Sequence, residues 1–190
     1  MNPLLIVAAL IATPNIPYIA EDKAPADLVQ AIRARRGGKL LNLDRILLYS
    51  PNYAKGWNTF FGAVRGQLSL PGKLREIPIM AIGALNKADY EWIQHEPEFR
   101  KEGGTAEQLA ALKNPEAAAK NEKLFSEVER AAIALTIEMT RNIAVSDATL
   151  KRVRAALPDQ QAVELIGTIA AYNMVSRFVA AAGVDLEGER

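Results

Sequence analysis

The stretch from Tyr90 to Gly104 contains the only histidine of the 190-residue chain, His95, and a glutamate four residues before it, Glu91. A separation of four residues places two side chains on the same face of a helix, close enough to interact. On a sheltered face, the carboxylate would orient the imidazole and leave its second nitrogen free for proton transfer near neutral pH. On an exposed face, the pair would be an ordinary surface salt bridge. Residue types alone leave both interpretations open.

Composition excludes several other kinds of chemistry. The chain has no cysteine, which rules out disulfides, thiolate metal sites and cysteine nucleophiles. A formal net charge of +1 gives no electrostatic reason to expect nucleic acid or a membrane as partner. A serine-type triad could use only His95, and neither the G-x-S-x-G motif nor a glycine-rich phosphate-binding motif occurs. Phe99 replaces the second histidine of a zinc-binding H-E-x-x-H motif, so no metal site is expected.

Apolar residues recur with the 3.6-residue period of a helix along most of the chain, and no convincing two-residue alternation occurs. The sequence therefore predicts an all-α protein of about eight helices joined by short loops. The first helix is expected between Pro25 and Gly37, since proline favours a helix start and glycine a helix end. A later helix around residues 52–68 has an apolar face. That face consists of Trp57, Phe60, Phe61 and Val64.

The candidate residues lie on two consecutive predicted helices. Ser69 and Pro71 are expected to form the cap and first turn of one helix, which carries Glu76 on an otherwise apolar stretch. Its inward stripe is predicted to be Leu74, Ile77, Ala81 and Leu85. The next helix, about Ala88 to Glu102, carries the glutamate–histidine pair. Pro97 should kink or restart that helix, because proline removes a backbone donor and clashes with the preceding turn.

The rest of the chain also shows helix signals. Residues Thr105–Gln108 fit a capping box. One long helix is expected from the punctuation at Asn114 to about Arg141. Two more helices are expected to begin at Ser146 and at Pro158.

The amino-terminal segment Leu4–Ala12 is apolar but far shorter than the roughly 20 residues of a membrane-spanning helix. It has the length of a signal-peptide core, but no lysine or arginine precedes it, and Leu10 stands where a small residue is expected. We interpret residues 1–15 as an apolar arm or a targeting remnant and residues 16–190 as a single domain. A cytoplasmic location is expected, with export as the alternative if residues 1–12 act as a signal.

The layout E-x11-A-x2-E-x3-H, from Glu76 through Ala88 and Glu91 to His95, resembles the carboxymuconolactone decarboxylase family of the alkylhydroperoxidase D-like superfamily. The segments RARRGGKLLNLDRILLYSP, GAVRGQLSLPGKLREI and YEWIQHEP resemble its longer, YEW-x-x-H type, and the likeness covers roughly residues 16–187. In the peroxidase branch, a glutamate precedes a C-x-x-C-x-x-x-H motif. Ala88 and Glu91 stand at the cysteine positions here, so the resemblance does not imply thiol peroxidase activity.

The resemblance implies an alkylhydroperoxidase D-like helical bundle that assembles as a homo-oligomer, a trimer or a hexamer, and needs no cofactor. It also implies a cofactor-independent lyase or isomerase, decarboxylase-like, acting on a small carboxylated lactone or related acid. In that chemistry His95 would move a proton and Glu91 would orient the imidazole. Glu76 would be a second acid/base group or a hydrogen-bond partner. The alternative is a non-catalytic oligomeric helical protein, or a small-molecule binder, that retains the scaffold.

An anionic substrate needs cationic side chains to bind it. Arg65, Arg75 and Arg177 are the candidates for that role. The cluster of Arg33, Arg35 and Arg36 before the Gly37-Gly38 pair has a simpler interpretation. Positive charge is favourable at the carboxyl end of a helix, and the cluster is expected to cap the first helix.

Overall fold

The computed structural model describes residues 14–188, so the predicted apolar segment Leu4–Ala12 lies outside the described residues. Within them the protein has ten α-helices, one 3-10 turn at Glu21–Lys23 and no strand, which confirms the all-α prediction with a slightly higher helix count. The helices are α1 (Ala26–Arg35), α2 (Asn42–Leu47), α3 (Pro51–Gly66), α4 (Gly72–Asn86), α5 (Asp89–Lys101), α6 (Ala106–Ala111), α7 (Pro115–Ala118), α8 (Glu127–Arg141), α9 (Asp147–Ala156) and α10 (Asp159–Ala182).

The additional helices arise partly because the predicted long helix from Asn114 to Arg141 is in fact two, α7 and α8. Ser126 begins α8 with a reciprocal capping box. Its hydroxyl accepts the N–H of Glu129, whose carboxylate accepts the N–H of Ser126 at 2.8 Å. A capped start satisfies backbone donors that a continuous helix would bond internally, so the chain begins a new helix there.

Two predictions about the site-bearing helices are wrong. Ser69 does not cap α4, because its hydroxyl instead donates to Glu164 of α10 at 2.9 Å. The predicted break at Pro97 does not occur, and α5 runs through it as one helix. Phe99, two residues later, is completely buried, and its packing holds the last turn of α5 in place despite the lost backbone hydrogen bond.

The apolar faces of α3 and α4 are mostly as predicted. On α3, Trp57, Phe61 and Val64 are buried, but Phe60 is 45% exposed and only its ring edge touches Phe61. The three residues i, i+4 and i+7 suffice to cover the facing helix, which leaves Phe60 on the outer flank. On α4, the predicted inward stripe is buried except for Leu85, which is half-buried near the helix end.

Helix α4 is the central helix and packs against α5, α8 and α10. It is buried on nearly every side, with Leu74, Ile79 and Ile82 in the larger apolar cluster and Ile77 and Met80 in a smaller one. A polar residue on such a helix cannot reach bulk water. Any charge there must therefore be stabilised by protein groups.

The last helix, α10, is long and apolar enough to cross a membrane by length and composition, with a mean hydropathy of 1.3 over its most apolar stretch. Of that stretch, 56% is buried inside the protein. A core helix of a globular protein meets the same criteria, and α10 packs against α4 and α8 in this way.

Candidate active site

Glu76 of α4 and His95 of α5 form a hydrogen-bonded pair in the interior. Glu76 is fully buried, and its Oε2 lies 2.8 Å from His95 Nδ1. The two helices approach closely, since a Cβ added to Gly83 of α4 would lie only 3.5 Å from the backbone nitrogen of Trp92. This close packing brings a carboxyl group of one helix to the imidazole of the next.

Two arginines complete the surroundings of Glu76. Arg65 of α3 donates from Nη1 to Glu76 Oε1 at 2.9 Å, and Arg75 donates from Nε to the same oxygen at 3.1 Å. Burial alone would raise the pKa of Glu76. The hydrogen bond and charge of His95, together with the two guanidinium groups, outweigh burial and hold that pKa below its usual range. Glu76 is therefore an ionised carboxylate inside the protein.

The ionised state of Glu76 fixes the tautomer of His95. Its Nδ1 carries the proton and donates to Glu76, while Arg65 Nη1, 3.1 Å from the same nitrogen, turns its own N–H to the carboxylate. Burial lowers the pKa of His95, and the bond to Glu76 offsets this only in part. The ring is therefore neutral near pH 7, with its basic lone pair on Nε2. That atom has no hydrogen-bond partner among residues 14–188 and is not sealed off from the adjoining cavity.

Tyr172 of α10 covers one side of the imidazole. The two rings meet edge to face, with centroids 4.9 Å apart. Burial raises the pKa of Tyr172 to about 12, and its neutral hydroxyl accepts an N–H of Arg65 at 3.3 Å. The ring thus fixes the orientation of His95 by packing, and the hydroxyl fixes that of Arg65.

Glu91 differs from the expectation that it orients His95. The hydrogen-bond partner of the imidazole is Glu76, because the neighbouring helix places that carboxylate opposite Nδ1. Glu91 is only 2% exposed, and neither of its carboxyl oxygens has a hydrogen-bond partner within the described part of the chain. Burial raises its pKa well above 4.5. Glu91 is therefore a neutral carboxylic acid at pH 7, one helical turn from a neutral imidazole.

Glu91 and His95 both line a cavity of about 1280 Å³ between α1, α3, α5 and α10. Trp57 and Phe61 of α3 and Val175 of α10 give it an apolar part. Cationic side chains on its walls outnumber the acidic ones, which are Glu21, Glu91, Glu98 and Glu187. The cations are Arg33, Arg35, Arg36, Lys39, Arg45, Arg65 and Lys101. Among residues 14–188, no group of three or more His, Asp or Glu side chains is arranged to hold a metal ion.

Of the three arginines predicted to bind an anion, only Arg65 lines this cavity. Arg75 lies behind Glu76 and extends to Glu102, at 3.4 Å. Arg177 donates to the backbone and side-chain oxygens of Asn173, both at 2.8 Å, and points away from the cavity walls. Position on a helix face could not separate these three, because the separation depends on which other helix packs against each face.

Arg35 is a cavity residue that the sequence did not single out. Of the arginine cluster, Arg33 closes the turn after α1 by donating to the Gly38 carbonyl at 2.7 Å. Arg36 instead pairs closely with Asp44 of α2, at 2.9 Å. Arg35 lies 3.8 Å from the same carboxylate, and its Nη2 is buried with no hydrogen-bond partner in the described residues. Burial and the neighbouring Arg36 lower its pKa to about 10.

A signal for this second cluster was present in the sequence. Asp44 is the acidic residue of an otherwise apolar helix, and such a residue is buried only when cations approach it. The arginines lie only eight or nine positions upstream, across a glycine pair whose two residues both have positive φ, 66° and 94°. That turn folds the end of α1 back towards α2, so Arg35 and Arg36 reach Asp44.

Several solved structures share this fold. One is the alkylhydroperoxidase AhpD core of an uncharacterized peroxidase-related protein from Ralstonia eutropha JMP134, with 18% identity, a TM-score of 0.77 and 93% of each chain covered. Another is an uncharacterized peroxidase-related protein from Silicibacter sp. TM1040, with 17% identity, a TM-score of 0.76, and 93% of this chain and 95% of that one covered. These identities demonstrate a common fold and nothing finer.

A third similar structure is a cysteine-to-alanine variant of the debrominase Bmp8 in complex with 2,3,4-tribromopyrrole. It has 18% identity and a TM-score of 0.74, and the likeness covers 100% of this chain and 94% of that one. No curated protein sequence matches the chain significantly.

The model of the Carboxymuconolactone decarboxylase family matches residues 51–138. This range begins with α3 and ends within α8, so it includes Arg65, Glu76, Glu91 and His95 but not the cations before α2. Residues 51–138 make this chain a member of the carboxymuconolactone decarboxylase family, carried on the helical fold of the AhpD-like proteins.

Proposed function

We propose that this protein is a cofactor-independent lyase that decarboxylates a small carboxylated lactone or a related acid. The observation that carries the proposal is the state of Glu91, a neutral and buried carboxyl group with no partner of its own in residues 14–188, facing a cation-lined cavity. A proton donor held in a cavity that attracts anions is what a decarboxylation requires.

In the reaction, the bond between the substrate carbon and its carboxylate breaks, and carbon dioxide leaves. The electron pair of that bond moves into the conjugated carbonyl group, which becomes an enolate. Glu91 stabilises the developing negative charge by a hydrogen bond and then gives its proton to the carbon. Glu91 recovers a proton from solvent, so the net change is replacement of the carboxylate by hydrogen.

The cationic wall supports binding of an anion. Arg35 has an unpartnered, buried Nη2 and shares Asp44 with a closer arginine, so its charge is incompletely neutralised. We propose Arg35 and Arg65 as substrate-binding residues, since guanidinium groups bind carboxylates with good geometry. Arg75 acts instead through Glu76, whose negative charge it helps to stabilise.

Neither peroxidase nor cysteine-dependent debromination chemistry is proposed. The Bmp8 complex was obtained with a variant in which a cysteine is replaced, and this chain has no cysteine. Glu91 stands at one of the positions where the peroxidase branch has its thiols, and a carboxylic acid cannot reduce a peroxide.

The test is release of carbon dioxide from a panel of carboxylated five-membered lactones. Glu91→Gln keeps the shape and neutrality of the side chain but removes its acidic proton, so kcat should fall about 10²- to 10⁴-fold. Glu96→Gln, a partly exposed residue on the same helix, is the matched control and should retain full activity.

An equal kcat for wild type and Glu91→Gln would contradict the assignment of Glu91. No turnover of any panel member, together with binding of the lactones measured by calorimetry, would instead favour the alternative of a non-catalytic small-molecule binder.

A further inference from the structure

The proposed decarboxylation needs a proton donor, yet half of the site is built as a base. His95 gives its Nδ1 proton to an ionised carboxylate, and that carboxylate is itself held by two arginines. A carboxylate on Nδ1 increases the basicity of the opposite nitrogen, Nε2. Loss of carbon dioxide leaves no step that requires such a base, so the Glu76–His95 pair is not explained by that reaction.

The base and the acid lie side by side in one cavity. Glu91 precedes His95 by four residues on α5, a spacing that puts their Cβ atoms about 5–6 Å apart. The O–H of Glu91 has no acceptor, and Nε2 of His95 has no donor, within residues 14–188. A ligand that offers a carbonyl oxygen to the acid and a C–H group to the base would satisfy both.

We propose that this site also catalyses a proton shift in unsaturated lactones, with His95 Nε2 removing a proton from the carbon next to the carbonyl while Glu91 hydrogen-bonds to the carbonyl oxygen. The inference rests on the proposed function in so far as it uses the same cavity and the same two side chains. It adds a second activity, the isomerisation of a β,γ-unsaturated lactone to its α,β-unsaturated form.

The step is balanced without a co-reactant. The C–H bond breaks, its proton moves to Nε2 and its electron pair forms an enolate, whose charge Glu91 stabilises. The imidazolium, paired with Glu76, then returns the proton to the γ-carbon, and the double bond moves by one position. No atom is gained or lost, nothing is oxidised, and both side chains end in their starting states.

Hydrolysis of the lactone ring would also use a base, but the site fits it less well. Attack of water on the carbonyl creates an oxyanion that is usually stabilised by two or more preorganised donors. Here Glu91 offers one unpartnered O–H group. Arg65 already donates to Glu76 and Tyr172 from one nitrogen and pairs with Glu98 through the other, at 3.3 Å. A single donor at the oxygen suits an enolate better than a tetrahedral oxyanion.

The experiment follows β,γ-unsaturated five-membered lactones, with and without a carboxymethyl substituent, by proton NMR in D2O. None of these probes carries a carboxylate that can be lost, so decarboxylation does not contribute to the signal. Wild-type protein should replace the proton next to the carbonyl by deuterium at least ten-fold faster than buffer, and the α,β-unsaturated isomer should accumulate. His95→Gln should return the exchange rate to that of buffer, while Glu96→Gln should match the wild type.

Glu76→Gln provides a second variant should His95→Gln fold poorly. An amide at this position cannot stabilise an imidazolium, so exchange should slow and its dependence on pH should shift, which a purely structural role would not cause. Buffer-rate exchange of every probe by the wild-type protein overturns the proposal, as does formation of the ring-opened hydroxy acid without exchange. Exchange without any decarboxylation overturns only the lyase function, and decarboxylation without exchange overturns only the proton shift.

Discussion

Glu76 and Glu91 are two buried carboxyl groups on neighbouring helices, and their surroundings give them opposite charge states. Glu76 is held between His95, Arg65 and Arg75, and these groups keep its pKa low despite burial. Glu91 has burial alone, which raises its pKa. A pair of carboxyl groups whose environments move their pKa values apart is typical of sites that perform acid and base chemistry at one pH.

The neutral state of Glu91 can be tested without a substrate. At a pH below about 4.5, both folded and unfolded chains hold the Glu91 proton, and the stability difference between wild type and Glu91→Gln is constant. Above that pH, the unfolded chain releases the proton while the folded chain retains it, so folding binds a proton and wild-type stability falls as pH rises. The glutamine variant lacks this loss, which amounts to about 1.4 kcal/mol per pH unit up to the folded-state pKa.

Urea unfolding of both proteins between pH 4 and pH 8 measures this difference, and Glu91→Gln should become progressively more stable than wild type. Glu96→Gln on the same helix serves as the control for removing one acidic group from α5. A difference between Glu91→Gln and wild type that stays constant with pH would show that Glu91 titrates normally and is ionised in the folded protein.

At the scale of elements, the cavity joins a family-typical part, α3 to α5, to a cationic segment from the end of α1 to α2. Arg35 crosses this boundary, because its Nε donates to Asn58 of α3 at 2.5 Å while its Nη2 lies near Asp44 of α2. Gly62, one turn after Asn58, leaves room for the arginine stem, since an added Cβ would lie 3.8 Å from Arg35 Cδ. The α1–α2 segment therefore supplies charge to a site whose acid and base come from α4 and α5.

Arg35→Met removes the charge and keeps most of the apolar stem, so it should weaken binding of an anionic substrate. Hydrogen bonds to charged groups contribute about 1.5–3 kcal/mol, which corresponds to a rise in KM of roughly 10- to 100-fold with little change in kcat. Arg177→Met is the matched control, because Arg177 bonds to Asn173 outside the cavity lining. Steady-state kinetics that give both variants the same KM would exclude Arg35 from substrate binding.

For the whole molecule, the site depends on two apolar clusters that meet at α4. Phe99, on the same helix as His95, is completely buried in the smaller cluster beside Ile77 and Phe125. It packs directly over Gly104, where an added Cβ would lie 2.2 Å from the phenyl ring. Burial of this ring thus holds α5 against α4, the contact on which the Glu76–His95 pair depends.

Phe99→Ala should lower the free energy of unfolding by about 3–5 kcal/mol, the usual cost of emptying a buried aromatic site. Phe60→Ala tests the same substitution at a position that is 45% exposed on α3, and a much smaller loss is expected there. Thermal or urea unfolding of both variants provides the comparison. Equal losses would show that Phe99 is not part of a packed core.

The sequence alone predicted the helical class, the capping box at Thr105 and the boundaries of α1, α9 and α10, because each depends on residues within a few positions of one another. It missed the start of α8 at Ser126. There a capping box competes with the apolar periodicity, and the strength of the two signals cannot be compared from sequence pattern alone.

The sequence by itself also determined which chemistry is available: one imidazole, no thiol, and glutamates at positions 76 and 91 that the family resemblance singled out. Only the tertiary structure decided which glutamate bonds to His95, which one holds its proton, and that Arg35, not Arg75 or Arg177, faces the cavity with Arg65. The physical reason is that charge state and hydrogen bonding depend on burial and on groups brought together from distant helices. Spacing along one helix specifies neighbours on that helix, but it carries no information about the helix packed against it.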